Sequence, residues 1–280
     1  MPAVVDILPT SLLPPFENGV PSALRLAGER ALLNSHSLNR ENYSTRRFLS
    51  ASPSDDTTVL KTIPVASGRI LICEASSFEL VRYSAERGLI LATDAEANRA
   101  VGLIEAALMT VIQPYEFLWS AVSELVWSCH VVVAPDDDYD VSFSDPSIPF
   151  SIFFSVPSGC DRSSILRVAE NLIHETMHLQ LTLLEGLSPL VDTASAWAIY
   201  SPWKQQQRPT QGILHGLYVF CVLRWLWRQF SLATGSKSHR DFALRRVTEI
   251  DEEVSVVRAL EGSPALTEAG KQFLHHLLAT

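Results

Sequence analysis

Cysteine is scarce and scattered: Cys73, Cys129, Cys160 and Cys221 make up the whole complement, and no two form a C-x-x-C pair. That spacing supports neither a disulfide framework nor a zinc ribbon, and it suits a reducing cytoplasm. Positive charge is also short. Lys and Arg number 22 against 31 Asp and Glu, a formal net charge of −9. A broad nucleic-acid surface needs the opposite balance. Arg224, Arg228, Arg245 and Arg246 crowd the last third and read as a solvated face. No long apolar run is free of charge. The most apolar stretch, Gly212 to Leu232, contains His215, Arg224 and Arg228, so it reads as a buried helix and not a membrane span. Met1 to Phe16 lacks a basic opening and is interrupted by Pro2, Pro9, Pro14 and Pro15, which is unlike a secretory signal.

What is present is a core. Hydrophobic residues form 47% of the 280 and charged residues 19%, enough for one large domain or two joined lobes. The pattern predicts a helix near Ala23 to Leu33, a loop over Ser50 to Thr58, and short strands at Arg69 to Glu74 and Gly88 to Thr93. Asp94 is a good N-cap for a helix to about Ile112, and another helix follows over Tyr115 to Ser128. His130 to Ala134 and Phe150 to Val156 read as strands of one sheet, separated by the acidic loop Pro135 to Asp140. A helix capped by Asp161 or Ser163 runs to about Glu185, with Gly186 just past its end. Leu187 to Arg208 reads as a loop, and helices follow over Pro209 to Phe230, His239 to Leu260 and Pro264 to Leu278. The expected class is α+β, mainly helical, with a small sheet before the helix of residues 161–185. Residues 1–130 form an N-terminal region, a possible substrate platform, and residues 131–280 a metal-binding region.

That helix carries His174-Glu175-Thr176-Met177-His178. Residues four apart project from one helix face a turn apart, so two imidazoles can grip one cation at about 2.0–2.1 Å each. Glu175 is adjacent, in reach of a metal-bound water. A third protein ligand is expected. Glu185 lies two turns too far along the axis, Asp192 in the following loop stays open, and Glu249 reads as solvated. His215 leads, on an apolar helix where Gly212 and Gly216 allow another helix to approach; a core histidine with a satisfied ring is its alternative. His36, His130, His239, His275 and His276 read as structural or exposed.

Three stretches together resemble the HExxH-type peptide β-hydroxylases found beside ribosomally made, post-translationally modified peptides. Ser142 to Val156 is similar to that family's Ser/Pro loop and strand, and His174 to His178 to its motif. Arg208-Pro209-Thr210-Gln211-Gly212-Ile213-Leu214-His215-Gly216-Leu217-Tyr218 is similar to its R-P-x-x-G-x-x-H-G-x-Y element. The likeness covers roughly residues 140–232. It implies a zincin-like scaffold using Fe(II), 2-oxoglutarate and O₂ to hydroxylate a β-carbon in a precursor peptide, with His174, His178 and His215 as metal ligands. Arg208, or second Lys204, would meet the distal carboxylate of 2-oxoglutarate. Arg224 should point away. Tyr218, one turn from His215, could bond a reacting oxygen, although core packing suits it better. The strand Phe150 to Val156 would offer its edge to an extended peptide.

Two other readings remain. In a zinc metallopeptidase, Glu175 would polarise a Zn(II)-bound water and Tyr218 support the oxyanion. The metzincin extension is absent, since Leu181 and Leu184 stand at its Gly and last His. In a non-catalytic module, a decayed site would bind peptide by strand addition.

Overall fold

The computed structural model describes residues 19–34, 59–66, 70–74, 81, 84–136, 140–145, 150–159 and 162–279. The Pro-rich start, His36, the loop Ser50 to Thr58, Asp137 to Tyr139, Cys160 and the expected cap Asp161 lie outside them. The protein is mainly helical with a small mixed sheet, as expected, and its backbone divides into two compact units.

The first unit spans Pro21–Gln180. Its sheet is built from β1 (Val59–Pro64), β2 (Ile70–Glu74), β3 (Ser128–Val132), β4 (Ser142–Ser144) and β5 (Ser151–Ser155), in the order β1-β2-β3-β5-β4. β2, β3 and β5 run parallel, while β1 and β4 are antiparallel edges. β3 and β5 are buried along their whole length, as parallel strands are when both faces are covered. Phe150 enters β5 at φ 62°, a left-handed conformation uncommon for an aromatic residue. It is held there because its carbonyl accepts the Trp127 N–H at 2.8 Å and the two rings stack 5.4 Å apart.

Helices α1 (Val20–Asn34), α2 (Asp94–Ala107), α3 (Glu116–Leu125) and α4 (Arg162–Glu185) accompany the sheet. A π-turn, Leu108–Ile112, extends α2 to the end the sequence predicts. Its cap is Thr93 and not Asp94: the Thr93 hydroxyl accepts the Glu96 N–H, and Glu96 Oε2 accepts the Thr93 N–H at 2.8 Å. This reciprocal box satisfies two end donors, which a lone Asp94 cannot do. Arg25 of α1 pairs with Glu29 and Glu124, each at 2.6 Å.

The second unit takes in Leu181 onward, including the last turn of α4. A hairpin of β6 (Ala198–Ser201) and β7 (Gln206–Pro209) leads into α5 (Thr210–Ala233), α6 (Lys237–Val256), a 3₁₀ turn (Val257–Gly262) and α7 (Glu268–Ala279). α5 and α6 pack along each other. Trp227 is fully buried and meets the Phe230 and Phe242 rings edge-on at 5.8 and 5.3 Å. Arg224 and Arg228 are not an open basic patch, since both pair with Asp251 at 3.0 and 3.1 Å; Arg245 and Arg246 reach Glu249. Among the described residues no helix is long and apolar enough to cross a membrane.

Five expectations need correction. β1 was not foreseen. Gly88 to Thr93 is no strand, because it contributes a single bridge, Leu91 to Val132. Residues 187–208 are not all loop, since β6 and β7 pair within them. β5 is not an edge, because β4 covers its free side. At Gly212 and Gly216 the nearest described groups are not those of another helix: the Arg208 guanidinium lies over the first, and the Trp203 ring over the second, where a Cβ would stand 2.7 Å from it.

Two predictions follow from this packing. At Gly270 an added Cβ would lie 2.0 Å from the Leu190 carbonyl oxygen, which accepts the Thr267 N–H and fixes the start of α7. Gly270→Ala should therefore destabilise the protein by about 1–3 kcal/mol, the usual cost of overpacking, seen as a lower denaturation midpoint. Burial pushes the Cys73 thiol up to about 12 and Cys221 up to about 11, and raises Cys129 well above its ordinary range. Because the thiolate is the reactive form, these three should resist iodoacetamide at pH 8 in the folded protein and react on unfolding, as peptide mass mapping would record.

Candidate metal centre

Much of α4 is buried, and Arg167, Glu170, His174 and His178 are among the residues that keep partial access to solvent. Their spacing of three and four residues places them in one stripe of the helix. The opposite side is apolar, with Leu172, Ile173 and Met177 wholly inaccessible. Polar residues on the buried flanks are tied down: Thr176 Oγ1 donates to the Leu172 carbonyl at 2.6 Å, and the Asn171 side-chain amide donates to the Ser155 carbonyl at 3.4 Å. The second bond anchors the helix to the end of β5. Nearer the helix start, Arg167 grips Asp140 through two bonds of 3.0 Å. That pairing engages one acid of the acidic loop within the fold.

The two imidazoles are thereby aimed at one point. Their Nε2 atoms are 3.1 Å apart, with ring planes at 65°. Glu175 is 1% exposed and its Oε1 lies 3.8 Å from His174 Nε2. One ligand atom from each of His174, Glu175 and His178 falls within 4.8 Å of the others. Nitrogens 3.1 Å apart, each about 2.0–2.1 Å from a shared cation, subtend about 95–102° at it. The pair therefore fits a single ion without rearrangement of the helix.

His215 sits on α5, half-buried, with Nε2 2.8 Å from Glu185 Oε2. Gln211 donates to the same oxygen at 2.9 Å. Burial alone would push the Glu185 carboxyl up, but the hydrogen bonds from His215 and Gln211 and the charge of the ring together hold it below the ordinary range. Glu185 is thus the polar partner that the sequence did not identify. The usable signal was the stripe of α4 itself, on which Glu185 continues the three-and-four spacing past His178.

The other candidates are placed as follows. Arg208 ends β7 with its guanidinium against Gly212, one turn before His215 on α5, and Lys204 is exposed in the hairpin turn. Tyr218 is fully buried with its ring 5.6 Å from that of Phe273, the packing role its surroundings favour. Asp192 is exposed, and its Oδ1 accepts the Ala194 N–H in a local turn. His130 is buried on β3, its Nε2 3.2 Å from Ser128 Oγ and its ring stacked on Phe153. No protein-family model matches the chain, and no curated protein matches it.

The geometry predicts that His174→Ala and His178→Ala each lower divalent-metal affinity by more than about tenfold, the loss typical of changes to groups that only orient ligands. Metal content after dialysis measures it, with circular dichroism as the folding control.

Proposed function

We propose that the protein is an Fe(II)/2-oxoglutarate-dependent oxygenase that hydroxylates a β-carbon of a residue in a ribosomally made precursor peptide. The observation that carries the metal part is the convergence of two imidazoles and a carboxylate on one helix. Those ligand types, with positions left open, suit a non-haem iron. The helix beside a mixed sheet supports a zincin-like scaffold. The oxygenase part rests on the likeness of residues 140–232 to the peptide β-hydroxylases.

When bound, Fe(II) with 2-oxoglutarate would supply oxidising power from O₂. The residues provide binding and positioning. His174 and His178 hold the ion through Nε2. The likeness assigns a third ligand, His215; its Nε2 meets the Glu185 carboxylate, a pairing of the kind that orients metal-binding imidazoles. Arg208 takes the distal carboxylate of 2-oxoglutarate. In support, its guanidinium rests on Gly212 and has no ion pair among the described residues. Lys204 is the second candidate. Tyr218 is left to the core. An extended peptide would add to β4, the edge strand, in place of β5.

A second reading, a zinc metallopeptidase, is favoured by one observation: the buried Glu175 carboxylate lies beside His174, where a base acting on a metal-bound water belongs.

Anaerobic loading with Fe(II) followed by 2-oxoglutarate titration separates the two. A weak visible charge-transfer band that saturates with 2-oxoglutarate is the expected result. Its absence, with tight Zn(II) occupancy and peptide cleavage abolished by Glu175→Gln, would move the assignment to a peptidase. His215→Ala is expected to lower iron occupancy, and unchanged occupancy removes His215 from the ligand set.

A further inference from the structure

A second feature of the first unit lies where two neighbouring parallel strands stop. The β3–β5 ladder ends at Val132 and Ser155, and Pro157, which has no N–H, prevents β5 from pairing further along its neighbour. The chains part, and a cavity of about 240 Å³ opens between their carboxyl ends and α2. The crevice lies outside the carboxyl ends of two neighbouring parallel strands, the end of an open α/β sheet at which ligands bind where strand order reverses. The lining contains none of His174, Glu175 and His178.

The walls are partly aliphatic, with Ser158 also in the lining. Val131, Val133 and Pro157 come from the strand ends, and Ala100 and Leu103 from α2. The mouth carries two opposite charges. Glu96 and Arg99 share the α2 face with Ala100 and Leu103, at positions i, i+3, i+4 and i+7 of a single stripe. Glu96 is fixed in one rotamer, since its Oε2 accepts both the N–H and the hydroxyl of Thr93 at 2.8 Å. Its Oε1 remains for another donor. Arg99, on the next turn, makes no hydrogen bond or ion pair among the described residues. Two opposite charges on an exposed helix are ordinarily just solvated. Here they flank a partly aliphatic cavity instead of a flat surface.

We propose that this crevice binds a free aliphatic α-amino acid. Its carboxylate pairs with the Arg99 fork, a two-bond geometry that guanidinium favours. Its ammonium meets Glu96, and a valine- or leucine-sized side chain enters the cavity beside the aliphatic residues of its wall. The size agrees: pockets for drug-sized ligands run to roughly 300–1,000 Å³, and this one is smaller. A simple carboxylic acid fits less well, because Glu96 would face it with like charge.

Calorimetric titration of the full chain with L-leucine and L-valine tests this. The comparison ligands are 4-methylpentanoate, which lacks the ammonium, 3-methylbutylamine, which lacks the carboxylate, and glycine, which lacks the side chain. The expected result is saturable binding of leucine or valine, with each comparison ligand weaker by about tenfold or more, the equivalent of one charged contact. Arg99→Gln and Glu96→Gln should each weaken binding by a similar factor. Arg99→Gln should leave the melting curve unchanged, because the side chain is exposed. No saturable binding at millimolar leucine or valine overturns the proposal. So does equal binding of 4-methylpentanoate, or binding indifferent to Arg99→Gln.

Discussion

Two ring nitrogens 3.1 Å apart on one helix are the constraint around which the first unit is arranged. At that separation one neutral ring can donate its Nε2–H to the lone pair of the other, or both lone pairs can face a shared cation. The first arrangement satisfies one hydrogen bond in a half-open stripe. A cation satisfies both nitrogens, and it leaves the neighbouring carboxylate of Glu175 facing positive charge. Burial makes that compensation more valuable, because an ionised carboxylate removed from water is costly unless it meets a partner.

Keeping those rings in register falls to the sheet. β5 is internal, bonded to β3 on one side and β4 on the other, and all five of its residues are buried. It cannot slide by one residue without turning its side chains to the opposite face. The bond from Asn171 to the Ser155 carbonyl transmits that fixed register to α4, one turn ahead of His174. The stacked pair Trp127 and Phe150 sets the entry to β5. Position of the strand thus becomes position of the helix, and position of the helix becomes aim of the imidazoles.

What the sequence made legible is what periodicity and punctuation encode. α4 was readable to within a residue or two because its apolar pattern runs for six turns and ends at Gly186. The adjacency of β3 and β5 was readable because both are short apolar runs bounded by turn residues. β6 and β7 were not, since their residues are largely exposed or half-exposed and offer no alternation of the kind that marks a half-buried strand. The place of β4 was hidden for a related reason: three half-exposed residues cannot announce that they cap a sheet. At the candidate site, the spacing of four put His174 and His178 on one helix face, where their Nε2 atoms meet, and Arg208 lies against Gly212 of the His215 helix. The pairing of His215 with Glu185 stayed hidden because it joins side chains 30 residues apart, which no local pattern reports.

The choice between oxidative and hydrolytic chemistry turns on Glu175 more than on the histidines. One residue past His174, it is rotated about 100° around the helix, which takes it from the half-open stripe to the buried flank. A carboxylate there is 1% exposed, so bulk water does not reach it directly. With a metal held by His174 and His178, a water for it to activate would come bound to that ion. A peptidase needs that arrangement, and the geometry permits it. An oxygenase would have a different use for the same group: a carboxylate beside the imidazoles would favour a divalent cation. In the first case loss of the charge removes the proton acceptor and stops the reaction with metal still bound. In the second it weakens the hold on the metal while leaving the path of the reaction intact, so occupancy and turnover respond in opposite proportions. The structure makes Glu175 the residue at which the two chemistries part.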